Sequence, residues 1–500
     1  MRLQARTSEY LILAVLLVFS SGLILANLGN IYLWEDEAQT ALLAKTILTH
    51  GVPLGYDGKN YFSQLEGAEC GKNFIWKWHP WFPFYLLAGF FAVFGTSTFV
   101  ARLPFALLGI ATVVLAYFYG NSLWRIRRAG ILSAVLLMTC VPFLLLVRQC
   151  RYYAPAAFLS LAGLYAYSAM LERRKYASLA FVISAVLLFH THYVYCAALL
   201  AATAVHTLLY RRNILKLLVL LLAIIAVINV PWIIWLSSMG GIAQNYSYIL
   251  NRTVGAAGIY GRDLAKHIFH PALLLLPVVF YALRRIGLSP KPVWDRSTGS
   301  NLVLLLLFSV FTVAGLSPTD QLPFFRYLAP LIPVACIIMG LIVESGMKIH
   351  PAVGVIIIGL LAWWWRMPDY LYEITHDYDG PVEGTVQFLN ANARPSDVVA
   401  VSHEDLPIKW YTNLRVIGPT SGEDFKPALN ADWLVMRNRF TNADLEFIHY
   451  LWKNFPLDRY EPIALPFPDI TFENRESPDW HQFRTVTDAP PIMIYRRIRG

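Results

Sequence analysis

The stretch YLWEDEAQTALLAK, residues 32–45, sets Glu35, Asp36 and Glu37 side by side a few positions after an apolar run that begins at Tyr10. The fold turns on what that run is. Residues 10–28 are long enough to cross a bilayer core, which takes about 20 apolar residues. They follow MRLQAR as the body of a signal peptide would, but no small-x-small cleavage site comes after them, so a retained transmembrane helix is expected. The acidic triplet then lies just past the end of a span.

Composition agrees with that reading. The 500 residues are 57% hydrophobic and 15% charged, with a mean hydropathy of +0.48; a soluble protein carries about a quarter charged residues. The chain reads as a polytopic membrane protein. Its net charge of +9 reports short cytoplasmic loops rather than nucleic acid. Four of the five cysteines fall inside or at the end of apolar runs, and only Cys70 lies in a polar loop, so no disulfide framework is legible.

Apolar runs mark eleven expected spans, at about 10–28, 98–122, 129–147, 155–171, 177–193, 194–210, 215–235, 269–283, 302–316, 328–343 and 351–365. The short basic stretches (Arg2 and Arg6, RIRR at 125–128, ERRK at 172–175, RRNILK at 211–216 and RRIGLSPKPVWDR at 284–296) then all fall on one side. The positive-inside rule makes that side cytoplasmic, with the N-terminus there and the C-terminus outside, in a membrane expected to be the bacterial inner or plasma membrane.

Residues 29–98 become a first extracytoplasmic loop. Within it AQTALLAKTILTHG and WFPFYLLAGFFAVFG, at 81–95, read as two interfacial helices. From residue 366 to 500 the chain turns polar. The short β-like runs DVVAVS, LRVIG, DWLVMR and PIMIYRR and the amphipathic NADLEFIHYLWKNF, at 442–455, indicate a small extracytoplasmic α/β domain after a membrane domain of residues 1–365.

On this topology a set of ionisable residues meets at the extracytoplasmic face: the acidic triplet, Lys77 and His79, Arg148 and Arg151, His190 and His192, Arg252, Arg262 and Arg326. Single Arg and His residues at an interface are often no more than anchors. Acids gain nothing from anionic headgroups, so the triplet points to function. An Asp beside cations can take a proton from an attacking hydroxyl while Arg, Lys or His holds a departing phosphate. Transfer of a sugar from a phosphate-linked lipid carrier needs that chemistry.

These residues also carry a family likeness. WEDEAQTALLAKTIL resembles the Asp-Glu motif after the first helix of GT-C glycosyltransferases, in the group related to protein O-mannosyltransferases and the aminoarabinose transferases that modify lipid A. HPWFPFYLLAGFFAVFGTSTFVARLPFALLG (79–109) is similar to that group's Lys/His-Pro, Phe-Gly and Ala-Arg-Leu-Pro elements; RQCRYYAP resembles its Arg-x-x-Arg-x-Tyr signature and RYLAPLIP its late Arg-Tyr-Leu-x-Pro element. The likeness covers residues 10 to about 210 well and is patchy to 340.

The resemblance implies an inverting, metal-independent transfer from a polyprenyl-phosphate sugar to a hydroxyl of an envelope glycan, lipid or protein at the extracytoplasmic face. Asp36 would be the base and Glu37 its motif neighbour. Lys77, His79, Arg151, Tyr152, His192 and Arg326 would bind the lipid phosphate or substrate. No cofactor is implied. Several relatives carry an acid shortly after the Arg-Tyr element, and YYAPAAF has none. Glu35, Glu66 and Glu69 add carboxylates that could in principle join a divalent cation site, as in the oligosaccharyltransferase branch, but their spacing fits no metal loop. Two other classes compete. A lipid or sugar transporter would line a midplane path with charge, and a noncatalytic envelope assembly protein would not depend on Asp36.

Overall fold

In the computed structural model, residues 2–240, 249–276, 278–279, 282, 296–319, 322–348, 350–438, 440–470 and 478–498 are described. The expected span at 269–283 lies partly outside them, as do the basic stretch at 284–295 and the side chain of Arg252.

The N-terminal helix α1 (Arg2–Leu25) leads to α2 (Glu35–His50), α3 (Phe82–Phe94) and α4 (Thr98–Trp124). Ser97 caps α4 by accepting from the Val100 amide, and Arg125 in the left-handed region closes it, so 27 residues run unbroken for about 40 Å. That is more than a bilayer core. Next come α5 (Arg127–Thr139), α6 (Val141–Val147), α7 (Tyr153–Leu171), α8 (Ala177–Phe189), α9 (Tyr193–Tyr210), α10 (Leu215–Ser238) and α11 (Ile249–His267). Helices at Arg296–Thr319, Leu331–Met347 and Pro351–Trp364 complete the bundle.

Among the described residues six helices are long and apolar enough to span, or eight if each of two bent pairs counts as one. Ala177–Phe189 and Leu331–Met347 are apolar but shorter. The expected span 129–147 is one of the bent pairs, breaking by 66° at Cys140. Pro142 opens α6 and has no amide hydrogen to continue the ladder of α5. Among the described residues the basic stretches at 125–128, 172–175 and 211–216 gather at one end of the bundle, where Arg174 donates to Ser122 at the end of α4 and Arg127 reaches Ser8 in α1. Arg102, in the opening turns of α4, lies at the other end with the acidic triplet.

Small residues let these helices approach. A Cβ on Gly130 of α5 would stand 2.6 Å from the Tyr117 carbonyl of α4, and one on Gly340 would stand 2.4 Å from Ser133 Oγ of α5. Close backbone contact replaces the hydrophobic drive that lipid cannot supply.

The two loop helices differ. Most of α2 is buried, from Asp36 through Ala44 and on to Ile47. The Asp405–Tyr411 helix of the C-terminal domain packs on it, so it is enclosed, whereas α3 leaves Tyr85, Val93 and Phe94 exposed. Residues 367–374 still pack on the bundle: Tyr370 is fully buried and its hydroxyl donates to the Leu23 carbonyl at 2.6 Å. The C-terminal domain proper starts at the Pro381–Asn392 helix and holds a five-stranded sheet of β1 (Val398–Val401), β2 (Arg415–Ile417), β3 (Trp433–Met436), β4 (Tyr460–Pro468) and β5 (Pro491–Arg497) in the order β2-β1-β3-β5-β4. β1 runs parallel to β2 and β3, and the last two strands pair antiparallel. The expected helix over 442–455 is a short 3-10 turn followed by Leu445–Asn454. Sequence reading misses β4 because YEPIALPFP carries three prolines, and it is an edge strand, where proline is tolerated.

Gly130→Ala should destabilise the protein by about 1–3 kcal/mol through overpacking. Gly89→Ala, with open space around the added carbon, should not. Thermal unfolding of both variants in the same lipid or detergent checks the contrast.

Candidate active site

Glu35, Asp36 and Glu37 form the first turn of α2, where unpaired amides favour negative charge. Their three side chains go to three different places.

Glu37 turns inward and is fully buried. Arg102 clamps it with two hydrogen bonds, Nε to Oε1 at 2.8 Å and Nη2 to Oε2 at 2.6 Å, and the Cys150 amide donates to Oε1 at 2.7 Å. The same guanidinium donates to the carbonyls of Leu28, Ile31 and Tyr32. One ion pair therefore fixes the turn between α1 and α2, the start of α4 and the α6–α7 junction. Arg102 escaped the list of sequence candidates although it stands in the ARLP element. Nothing in that element distinguishes a structural clamp from a ligand-binding cation.

Asp36 faces two cations. Its Oδ2 lies 3.4 Å from Arg151 Nη2 and 3.2 Å from Arg326 Nη1. Arg151 also donates to the Asp36 carbonyl and to Thr40 Oγ1, each at 3.1 Å. Arg326 rests over the Phe324 ring at 4.3 Å. Arg151, Tyr152, His79, Thr40 and Thr191 line a crevice of about 10 Å³ on one side of Asp36. His79 is held well below the ordinary histidine range by burial, with Arg151 and His192 adding to the effect, so its imidazole is neutral. Tyr152 stands between His79 and His192, with ring centroids 6.0 and 5.3 Å away. His192 stacks on Tyr195 and is pushed down to about 3 by burial.

Asp36, Arg151, Arg326, His79, Tyr152 and His192 are thus neighbours. Lys77 is directed elsewhere, its Nζ 3.4 Å from the Met239 carbonyl after α10. Arg148 caps the end of α1, donating to Ile24 and Ala26 carbonyls at 2.9 and 2.8 Å. His190 packs edge-on to Trp232, and Arg262 meets Asp263. Glu69 spends its oxygens on its own loop, accepting from Ser63, Gln64, Leu65 and Gln39. Among the described residues no three His, Cys, Asp or Glu side chains are grouped to hold a metal ion.

Glu35 faces the C-terminal domain, where its Oε2 accepts the Leu406 amide at 3.2 Å. Burial, then the charges of Asp405 and Glu404, push its carboxyl well above the ordinary range. Beside it a cavity of about 240 Å³ opens between α2 and the C-terminal domain. Asp36 and Arg326 stand on its wall, with Trp34, His403, Asp444 and Trp480. Composition could not reveal the last three as site residues. They sit in a polar domain where His, Asp and Trp carry no topological signal.

Residues 78–235 match the family model described as dolichyl-phosphate-mannose-protein mannosyltransferase. No curated protein sequence matches the chain. Among solved structures, ArnT from Cupriavidus metallidurans bound to undecaprenyl phosphate has a TM-score of 0.61 at 13% identity over 98% of each chain. The archaeal oligosaccharyltransferase AglB from Archaeoglobus fulgidus, in complex with an inhibitory peptide and a dolichol-phosphate, has a TM-score of 0.55 at 12% identity, over 95% of this chain and 75% of that one.

Two predictions follow from the acidic turn. Arg102→Met, which strands the buried Glu37 carboxylate, should cost about 3–5 kcal/mol and lower the yield of folded protein, whereas Asp36→Asn should leave thermal stability near that of the parent. A carboxyl whose folded pKa is raised binds its proton more tightly in the native state, so its contribution to stability is lost as pH rises above the ordinary value of 4.5. Glu35→Gln should therefore gain thermal stability over the parent progressively from about pH 5 to pH 8, as read by melting curves at several pH values. The chain thus shares its fold with ArnT and with AglB, and residues 78–235 match the dolichyl-phosphate-mannose-protein mannosyltransferase family model.

Proposed function

We propose that the protein is an integral membrane glycosyltransferase that moves a sugar from a polyprenyl-phosphate carrier to a hydroxyl of an envelope glycan, lipid or protein, at the extracytoplasmic face. The observation that carries this reading is the Asp36 carboxylate set between Arg151 and Arg326 and opening onto the cavity under the C-terminal domain. The fold shared with ArnT, in the structure holding undecaprenyl phosphate, supports it.

In the proposed reaction the acceptor hydroxyl enters from the cavity and gives its proton to Asp36. Its oxygen bonds the anomeric carbon as the bond from that carbon to the carrier phosphate breaks, so configuration inverts. The phosphate takes the electron pair and leaves as polyprenyl phosphate, stabilised by Arg151 and Arg326. Neutral His79 and Tyr152 add hydrogen bonds. The crevice beside Arg151 has room for about one water, so phosphate entry requires side chains there to move. Glu37 and Arg102 act at one remove, by fixing the helix turn that carries Asp36. This chemistry needs no metal ion.

The gathering of basic stretches at the bundle end away from Asp36 supports a cytoplasmic N-terminus and an extracytoplasmic C-terminal domain. Cys70 is a poor reporter of sidedness, since burial, with Glu69 adding, pushes its thiol up to about 12. Lys426→Cys, at an exposed position of the C-terminal domain, should react in intact cells with a membrane-impermeant maleimide; labelling only after lysis would reverse the orientation.

Asp36→Asn should lower transfer by roughly 10²–10⁴-fold, the range of a lost general base, at unchanged membrane abundance. Mass spectrometry of envelope glycans and lipids from cells with the parent, the variant or no protein reads this directly. A sugar missing only from cells lacking the protein would show that Asp36 is dispensable and favour a noncatalytic assembly role.

A further inference from the structure

Besides Asp36 and its two arginines, the cavity between α2 and the C-terminal domain contains a carboxylate paired with an imidazole. His403 is 6% exposed, and its Nδ1 lies 2.8 Å from Asp444 Oδ2. That oxygen also accepts from the Thr441 amide at 2.6 Å and the Thr441 hydroxyl at 2.9 Å, in a capping box that fixes Asp444 at the head of its helix. Burial raises the Asp444 carboxyl, but the hydrogen bond and electrostatic attraction of His403, followed by the Thr441 hydrogen bonds, outweigh it and hold the group below its ordinary range, so it is ionised and only accepts. In the neutral imidazole the proton therefore sits on Nδ1, and Nε2 has a lone pair to offer. Among the described residues Nε2 has no hydrogen-bond partner; the Glu404 carboxylate is 3.8 Å away and is held by Arg437. A buried acceptor left in that state is costly unless something enters to satisfy it.

The charges around the cavity narrow what can enter. Asp36 is matched by Arg151 and Arg326, Glu404 by Arg437 and Asp405 by Lys409, while Asp444 has its oxygen taken up by the hydrogen bonds from His403 and Thr441. Burial, with the charges of Asp405 and Glu404, pushes the Glu35 carboxyl well above its ordinary range and so favours its neutral form. A wall with many carboxylates is thus nearly balanced, and it carries the rings of Trp34, Phe324 and Trp480. Balanced charge, aromatic faces and one orphan hydrogen-bond acceptor suit an uncharged polyhydroxy ring better than an ammonium or a second phosphate.

We propose that this cavity is the acceptor site, that the acceptor presents a neutral sugar there, and that His403, oriented by Asp444, accepts a hydrogen bond from one of its hydroxyls through Nε2. The proposal rests on the glycosyltransferase reading above for the word acceptor, but the sugar site can be tested without turnover.

The full chain in nanodiscs is titrated with mannotriose, with a glucosamine trimer as the cationic probe and with trigalacturonate as the anionic one, and binding is followed by saturation-transfer NMR. Undecaprenyl phosphate binding is measured separately by native mass spectrometry. His403→Asn keeps an amide where Nδ1 donates to Asp444 but removes the group at Nε2, whereas His403→Gln keeps a polar atom near Nε2. Mannotriose should bind saturably and more tightly than either charged trimer. His403→Asn should weaken it about fivefold to tenfold, the effect of one hydrogen bond, while His403→Gln stays within about twofold. Trp480→Ala, at a position 48% exposed and so tolerant of truncation, should weaken it about tenfold. Undecaprenyl phosphate binding should be unchanged throughout. Preference for a charged trimer, no saturable mannotriose binding, or equal effects of the two His403 variants would overturn the proposal; should His403→Asn fail to fold, unaltered affinity in Trp480→Ala would overturn it. Loss of undecaprenyl phosphate binding by the parent, with the mannotriose results as expected, would instead remove the glycosyltransferase reading and leave the sugar site standing.

Discussion

The arrangement rests on the ion pair of Glu37 with Arg102. Two charges with almost no solvent contact are tolerated only because every strong donor and acceptor is used: the carboxylate takes three hydrogen bonds and the guanidinium gives five. The pair locks the first turn of α2 against α4. Asp36, one residue earlier on that turn, is thereby aimed at Arg151 and Arg326. Adjacent acids on a helix point about 100° apart, so one can be buried as a clamp while its neighbours face an open site and a covering domain.

That division explains which parts of the site the sequence disclosed. Asp36, Arg151 and Arg326 stand out because ionisable residues near a membrane are costly and rarely idle. Glu37 belongs to the same motif yet does a different job, and only its partner shows this. Lys77 and His79 are two residues apart in a loop without regular structure, where spacing says nothing of direction; one faces the crevice and the other Met239. His403 and Trp480 gave no signal at all, since in a polar domain their types are ordinary and their position against α2 is a matter of tertiary packing.

The fold was legible to a similar depth. Long apolar runs gave α1, α4, α7, α9 and α10 nearly as they are, because length and hydropathy are the physical requirements for spanning. The break at Cys140 depends on one proline inside an apolar run, which hydropathy does not register. Enclosure of α2 could not be read from its own residues, whose mixed character suits an interface equally well; the covering surface comes from the Asp405–Tyr411 helix and the loops of the sheet domain.

The order in which the partners of Asp36 occur along the chain bears on biosynthesis. Arg151 follows the bent pair α5–α6, while Arg326 and the walls supplied by His403 and Trp480 come from the last two fifths of the polypeptide. A ribosome-bound or prematurely terminated product would carry the acid without its second cation or its lid. In the proposed reaction competence arises only when the final domain has emerged and docked, so incomplete chains left in the membrane would not turn over.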